Sequence, residues 1–190
     1  MAARAAASAA VPAVALSVEV RRLDGPEAAA QVDGLAAVLL DCVRGGASVG
    51  FMAGFDEDDA RALYTEAAAD VAAGGRILLA AFADGRLVGT VQVVFARPPN
   101  QPHRADVAKL LVRRDARGRK IGRLLMQRAE AEAAAAGRWL LVLDTASPAA
   151  ERVYRGLGWT ELGVVPDFAL LPDGGPCDTT FFWKRLERPD

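Results

Sequence analysis

The segment Val107-Ala108-Lys109-Leu110-Leu111-Val112-Arg113-Arg114-Asp115-Ala116-Arg117-Gly118-Arg119-Lys120-Ile121-Gly122-Arg123-Leu124-Leu125 passes from an apolar strand through a basic loop into a helix. Backbone N–H groups at a helix start have no intrahelical acceptor and favour an anion. Gly118 lets the backbone approach a phosphate closely, and Gly122 is expected to leave room against the preceding strand. Arg117, Arg119, Lys120 and Arg123 add charge-assisted donors. The loop suits a diphosphate plus a further phosphate. A solvated basic loop after a strand is the competing reading, and the segment alone does not choose between them. The spacing of a Walker phosphate loop is absent, and so is the Gly-x-Gly-x-x-Gly dinucleotide fingerprint.

Outward from this segment the pattern alternates between strand and helix. On the N-terminal side, Leu16 to Val20 alternates as a strand, and Glu27 to about Val43 carries apolar residues at helical spacing. A second helix starts near Asp56, whose acidic first turn suits the helix dipole, and ends at Gly74-Gly75. Arg76 to Ala83 and Arg86 to Phe95 form a hairpin about Asp84-Gly85. Ala105 to Val112 is the next strand. On the C-terminal side, Ile121 to Ala136 is a helix and Arg138 to Asp144 a buried-type strand. Ser147-Pro148 opens a short helix through Leu157. Trp159 to Val165 and Thr179 to Arg185 are the last strands, joined by a Pro/Gly loop. The order β-α-α-β-β-β-α-β-α-β-β predicts a mixed α/β domain with an antiparallel first half and one strand–helix–strand unit near the middle.

Composition narrows the function classes. The chain has 190 residues, and its 23 Lys+Arg against 24 Asp+Glu give a net charge of −1. That balance supplies no excess positive field for a dedicated nucleic-acid binder. With 40 alanines, roughly a third of the chain is larger apolar residues, enough for a core. One histidine and two distant cysteines, Cys42 and Cys177, are too few soft ligands for a zinc site, so no metal is expected. Free thiols in a reducing cytoplasm are expected rather than a disulfide. No apolar run has the length of a bilayer span, so no membrane association is expected. Met1 to Ala15 reads as a disordered N-terminal extension, since Pro12 interrupts a merely Ala-rich run. Residues 16–190 then form one domain.

The basic loop resembles the acetyl-CoA-binding motif of the GCN5-related N-acetyltransferase (GNAT) superfamily, [Arg/Gln]-x-x-Gly-x-[Gly/Ala]. Arg117 and Gly122 match its ends, and Gly118 and Ile121 match its common form. Lys120 stands where the middle glycine is expected. Lysine resists the backbone angles or close contacts that glycine permits, so the loop either tilts or lends the lysine to a phosphate. Downstream, Ala149-Ala150-Glu151-Arg152-Val153-Tyr154-Arg155-Gly156-Leu157-Gly158-Trp159 is similar to the family's A-x-x-x-Y-x-x-x-G-[WF] helix. Within the superfamily the chain looks most like the tabtoxin-resistance acetyltransferases. That likeness rests on Gly45-Gly46-Ala47-Ser48-Val49-Gly50-Phe51-Met52-Ala53, Arg104-Ala105-Asp106-Val107 with Lys109-Leu110, and Leu143-Asp144-Thr145.

The resemblance implies a twisted, mostly antiparallel sheet of about seven strands flanked by four helices. It implies acetyl transfer from acetyl-CoA to an amine of a small amino-acid-like toxin or antibiotic, by direct attack in a ternary complex. It places the coenzyme on Leu110, Leu111, Val112, Arg117, Gly118, Arg119, Lys120, Ile121, Gly122 and Arg123. Such transfer needs a base for the amine, polarisation of the thioester and a partner for the departing thiolate.

Asp144 closes a buried strand at the carboxyl edge, where burial would raise its basicity. The resemblance gives base or acceptor-binding roles to both Asp106 and Asp144, and makes Tyr154 the donor to the thiolate. Each has a plainer structural alternative: a turn or cap residue at Asp144, an ion pair with Arg104 at Asp106, and core packing at Tyr154. His103 is a further base candidate, or simply an exposed loop residue. Ser48, Phe51 and Met52 lie in the connection that usually roofs the acceptor, or in a Gly-rich linker. Other readings are a protein or peptide amine as acceptor, and a regulatory module that binds acyl-CoA without catalysis. The oligomeric state is open; many relatives pair through sheets or helices, so a homodimer is one expectation.

Overall fold

The computed structural model describes residues 17–188. The N-terminal extension expected over Met1 to Ala15 lies outside them. Seven strands form one sheet: β1 (Val18–Leu23), β2 (Arg76–Ala83), β3 (Arg86–Phe95), β4 (Arg104–Val112), β5 (Leu140–Thr145), β6 (Thr160–Leu170) and β7 (Pro176–Arg185), in the order β1-β2-β3-β4-β5-β7-β6. Neighbours run antiparallel except β4 and β5, which are parallel and joined through a helix. Helices α1 (Gly25–Ala30), α2 (Val32–Arg44) and α3 (Glu57–Ala72) cover one face. Helices α4 (Ile121–Ala135) and α5 (Pro148–Gly156) pack on the other. The mixed α/β architecture expected from the sequence is the one observed.

Local chemistry explains the element ends. Asp56 accepts from the N–H groups of Asp58 and Asp59 and closes a capping box on α3. Ser147 accepts from the Ala150 N–H, and Pro148 supplies the first residue of α5. The hairpin strands β2 and β3 are buried nearly end to end, because helices cover both of their faces.

Two expectations need correction. The single helix expected over Glu27 to Val43 is two, with the break at Gln31 (φ −101°, ψ 7°), so five α-helices rather than four flank the sheet. Both halves pack on α3, and α2 also packs on β3 and β4. At Gly25 a Cβ would stand 2.8 Å from Ala72 of α3, whereas Gly34 of α2 lies against Leu87. The last two strands are also longer than expected. Strand pairing extends to Ala169↔Cys177 and Leu170↔Pro176, so most of the expected Pro/Gly loop is hairpin. Bulges after Glu161 and Val165 disturb the alternation that would have marked β6.

Among the described residues no helix is long and apolar enough to cross a membrane. Cys42 and Cys177 are both free thiols.

Candidate active site

The site begins where β4 and β5 separate. They pair at Arg104↔Leu140, Ala105↔Leu141 and Asp106↔Val142, then stop, although β4 continues to Val112 and β5 to Thr145. Beyond the fork each strand has an unpaired edge facing the other. Buried backbone groups need partners, so such an edge invites an extended ligand that carries amides. The space between them is a cleft of about 1120 Å³.

A bulge in β4 shapes one wall. Thr90 pairs with Leu111 but Gln92 with Ala108, so Lys109 and Leu110 together oppose Val91. Lys109 sits at φ +53°, a left-handed conformation that costs a side-chain-bearing residue about 1–2 kcal/mol. Such strain concentrates at functional sites. The irregularity turns Lys109 toward the loop after α2. There its ammonium donates to the Val49 carbonyl at 2.7 Å and lies 5.0 Å over the Phe51 ring.

At the end of β4 the basic loop carries the features expected of an anion site. Gly118 has φ +80° with open space where a Cβ would point. Lys120 also adopts φ +61°, ψ 14°, so it keeps the backbone angle for which glycine is the favoured residue. The lysine carries the left-handed strain that a glycine would avoid. Leu124 is the first residue of α4 to bond back, to the Lys120 carbonyl at 3.1 Å, and no side chain caps the helix. The N–H groups of Ile121, Gly122 and Arg123 therefore have no intrahelical acceptor. Arg117 donates through Nε to the Val112 carbonyl at 3.2 Å, and Arg123 reaches the Gly156 carbonyl at 3.1 Å. Asp41 of α2 holds the turn Arg114–Ala116 in place by accepting from the Arg114 N–H at 2.7 Å.

Asp144 and Tyr154 both line the cleft. Asp144 is open to solvent in the cleft, yet partial desolvation by its surroundings raises its pKa above 3.8; the Lys109 charge pulls it down and the Asp106 charge pushes it up. Tyr154 packs against Trp159 and Phe182 at 5.9 and 5.6 Å between ring centres. Burial, then the Asp144 charge, pushes its phenol well above the ordinary range. Tyr154 is thus a packed core residue and a cleft residue at once.

The other expected residues divide. Leu110, Leu111, Val112, Arg117, Gly118, Lys120, Ile121, Gly122 and Arg123 line the cleft, as does Ser48. Arg119 does not. A Cβ placed on Gly122 would find its nearest strand atom, Val112 Cγ2, 3.9 Å away, so room against the strand is not what requires a glycine there. Asp106 stays below the fork, where the strands are still paired, and its carboxylate is held at 2.6 Å by Arg104. It acts on Asp144 through charge rather than from the cleft itself. His103 is further down, stacked at 4.3 Å on Trp139 at the opposite end of β4. Phe51 stacks on Phe55 at 3.9 Å behind the lining, and Met52 points outward.

Sequence reasoning missed Lys109 and the hairpin residues Phe168, Ala169 and Leu171, which also line the cleft. The signal for Lys109 was a charge inside the otherwise apolar run Val107 to Val112. Phe168 was hidden in what read as a loop.

Residues 47–159 match the acetyltransferase (GNAT) family. The chain belongs to that family. Its fold is shared with solved structures across nearly the whole chain. yncA from Salmonella typhimurium, solved with its cofactor acetyl-CoA, is 20% identical with a TM-score of 0.72, covering 92% of this chain and 96% of that one. A ribosomal-protein-alanine N-acetyltransferase from Brucella melitensis is 24% identical with a TM-score of 0.70, covering 88% and 99%. A candidate phosphinothricin N-acetyltransferase is 17% identical with a TM-score of 0.69, covering 90% and 100%. At these identities the likeness is one of fold. The family match makes the chain an acetyltransferase, and the cleft is where its chemistry is to be sought.

Proposed function

We propose that the enzyme transfers the acetyl group of acetyl-CoA to the amine of a small amino-acid-like toxin or antibiotic, by direct attack in a ternary complex. The observation that carries this reading is the forked cleft, with an anion-binding loop at one end and both Asp144 and Tyr154 lining it. The resident groups fit the donor. The free amides of Ile121, Gly122 and Arg123 and the open Gly118 turn suit its diphosphate, with Arg117 and Lys120 adding charge. The unpaired β4 edge at Leu110 to Val112 suits its amide-bearing arm. When bound, acetyl-CoA supplies an activated acetyl thioester.

The side chains then have separate tasks. Asp144, a stronger base than an ordinary carboxylate, takes a proton from the acceptor amine. Tyr154 remains a phenol and donates a hydrogen bond to the departing sulfur. The two are coupled. While Asp144 is ionised its charge makes Tyr154 harder to ionise. Once Asp144 holds the amine's proton that contribution disappears, and the phenol becomes more acidic as the thiolate forms.

A small acceptor is favoured by the roof. Ser48 donates to the Leu170 carbonyl at 3.3 Å, and the Ala53 N–H donates to the Pro172 carbonyl at 2.9 Å. The loop after α2 is thereby tied to the β6–β7 hairpin across the cleft. Free thiols at Cys42 and Cys177 suit a cytoplasmic setting. The test is thiol release from acetyl-CoA over a panel of amino acids, amino-acid antibiotics and peptides. Turnover with small amino-acid-like amines is the expected result. Turnover confined to peptides would move the acceptor to a protein N-terminus.

A further inference from the structure

Acetyl transfer needs a base and a partner for the thiolate; it has no evident use for a half-buried ammonium. Lys109 nevertheless lines the cleft on strained backbone. Without the bulge its side chain would alternate to the other face of the sheet. Val107 packs into the core on the α4–α5 side, but after the bulge Lys109 reaches Val49 on the opposite side, the side to which Asp144 alternates from core-facing Leu143. Its ammonium has three N–H donors, and one is given to the Val49 carbonyl. No carboxylate among the described residues lies within ion-pair distance of it. Asp144 likewise has no ion-pair partner there. The cleft therefore presents a negative and a positive group that line the same space without neutralising each other. Across that space each charge favours the ionised form of the other.

A ligand that satisfies both must carry an amine and an acid group in near neighbourhood. We infer that Lys109 is a specificity-determining residue that binds a carboxylate of the acceptor, so that the substrate is an amino acid with its acid group free and its amine directed to Asp144. This rests on the small-acceptor reading above and sharpens it. Polyamines and aminosugars, which bring only positive charge, meet a like charge at Lys109. Amides and esters of the same amino acid leave the ammonium without its anionic partner.

The experiment compares kcat/KM for matched acceptors, each amino acid against its own amide and methyl ester, in the wild-type enzyme and in Lys109→Met and Lys109→Arg. The ratio of acid to amide is the readout. Loss of the Val49 tether would lower both rates, and the ratio cancels that effect. In the wild type the free acid is expected to be preferred by about tenfold or more, the size of one charge-assisted hydrogen bond. Lys109→Met should bring the ratio close to one, and Lys109→Arg should retain most of it. A wild-type enzyme that acetylates amides and acids equally overturns the inference, with no variant required. So does a preference that survives in Lys109→Met. Absence of turnover with every small amine, while calorimetry still registers coenzyme A binding, instead rejects the small-acceptor reading and takes this inference with it.

Discussion

Strands β2 and β6 belong to one sheet and live in opposite environments. β2 is buried along nearly its whole length, between α1–α3 on one face and α4 on the other. β6 is the far edge of the sheet, and Leu162, Val164, Val165, Phe168 and Leu170 are all exposed along it. The division runs through the fork. β2 and β3 are covered on both faces, whereas β5 and β7 bury Leu141, Leu143 and Phe182 on one face and leave the other open to the cleft. Asp144, Tyr154, Lys109 and the phosphate loop sit along the boundary, where the covered half can position groups and the open half can admit a ligand.

Substitutions on the two sides should therefore register in different measurements. The largest effect is expected at the boundary. Asp144→Asn should lower kcat by roughly 10²–10⁴-fold with little change in melting temperature. If kcat/KM keeps its wild-type value and pH profile, Asp144 is not the base. In the wild type, activity should rise with pH through an inflection above the ordinary carboxylate value, because partial desolvation raises the Asp144 pKa. The Lys109 charge lowers that pKa, so Lys109→Met should move the inflection to higher pH.

In the covered half, Leu79→Ala should cost about 2–5 kcal/mol of stability in denaturant unfolding, since Leu79 is fully buried. Tyr154→Phe should slow turnover about 10–100-fold while calorimetry shows nearly unchanged coenzyme affinity. A normal kcat there would assign the phenol to packing alone.

Lys120→Gly should stabilise the protein by about 0.5–1 kcal/mol in thermal unfolding, because relief of the left-handed strain exceeds the added freedom of the unfolded chain. The smallest effect is expected on the open edge. Leu162→Ala should change stability by less than about 0.5 kcal/mol, because Leu162 is 73% exposed. A cost near that of Leu79→Ala would erase the contrast between the two strands, and would falsify the view that β6 is uncovered in solution.

The parts legible in the sequence were those set by local chemistry. The bounds of β2 and β3 follow from two apolar runs about Asp84-Gly85, and those of α3 from the Asp56 cap and the Gly74-Gly75 stop. The family assignment rested on Arg117, Gly118, Ile121 and Gly122, which are contiguous in the chain. Asp144 and Tyr154 were reachable because they close or follow a readable strand. Asp106, and as a lesser candidate His103, were also offered by the sequence but lie at or below the paired part of β4. No local signal reports where pairing between β4 and β5 ends.

The amino-acid sequence alone thus determined the order of the elements, apart from the break at Gln31, the anion-binding character of the loop before α4 and the family to which they point. All of these depend on residues close together along the chain. Only the tertiary structure decided where β4 and β5 part, that Lys109 turns to the same side as Asp144, and that the β6–β7 hairpin completes the cleft wall. Those outcomes depend on strand register and on which faces the helices leave uncovered, and both arise only when distant segments meet.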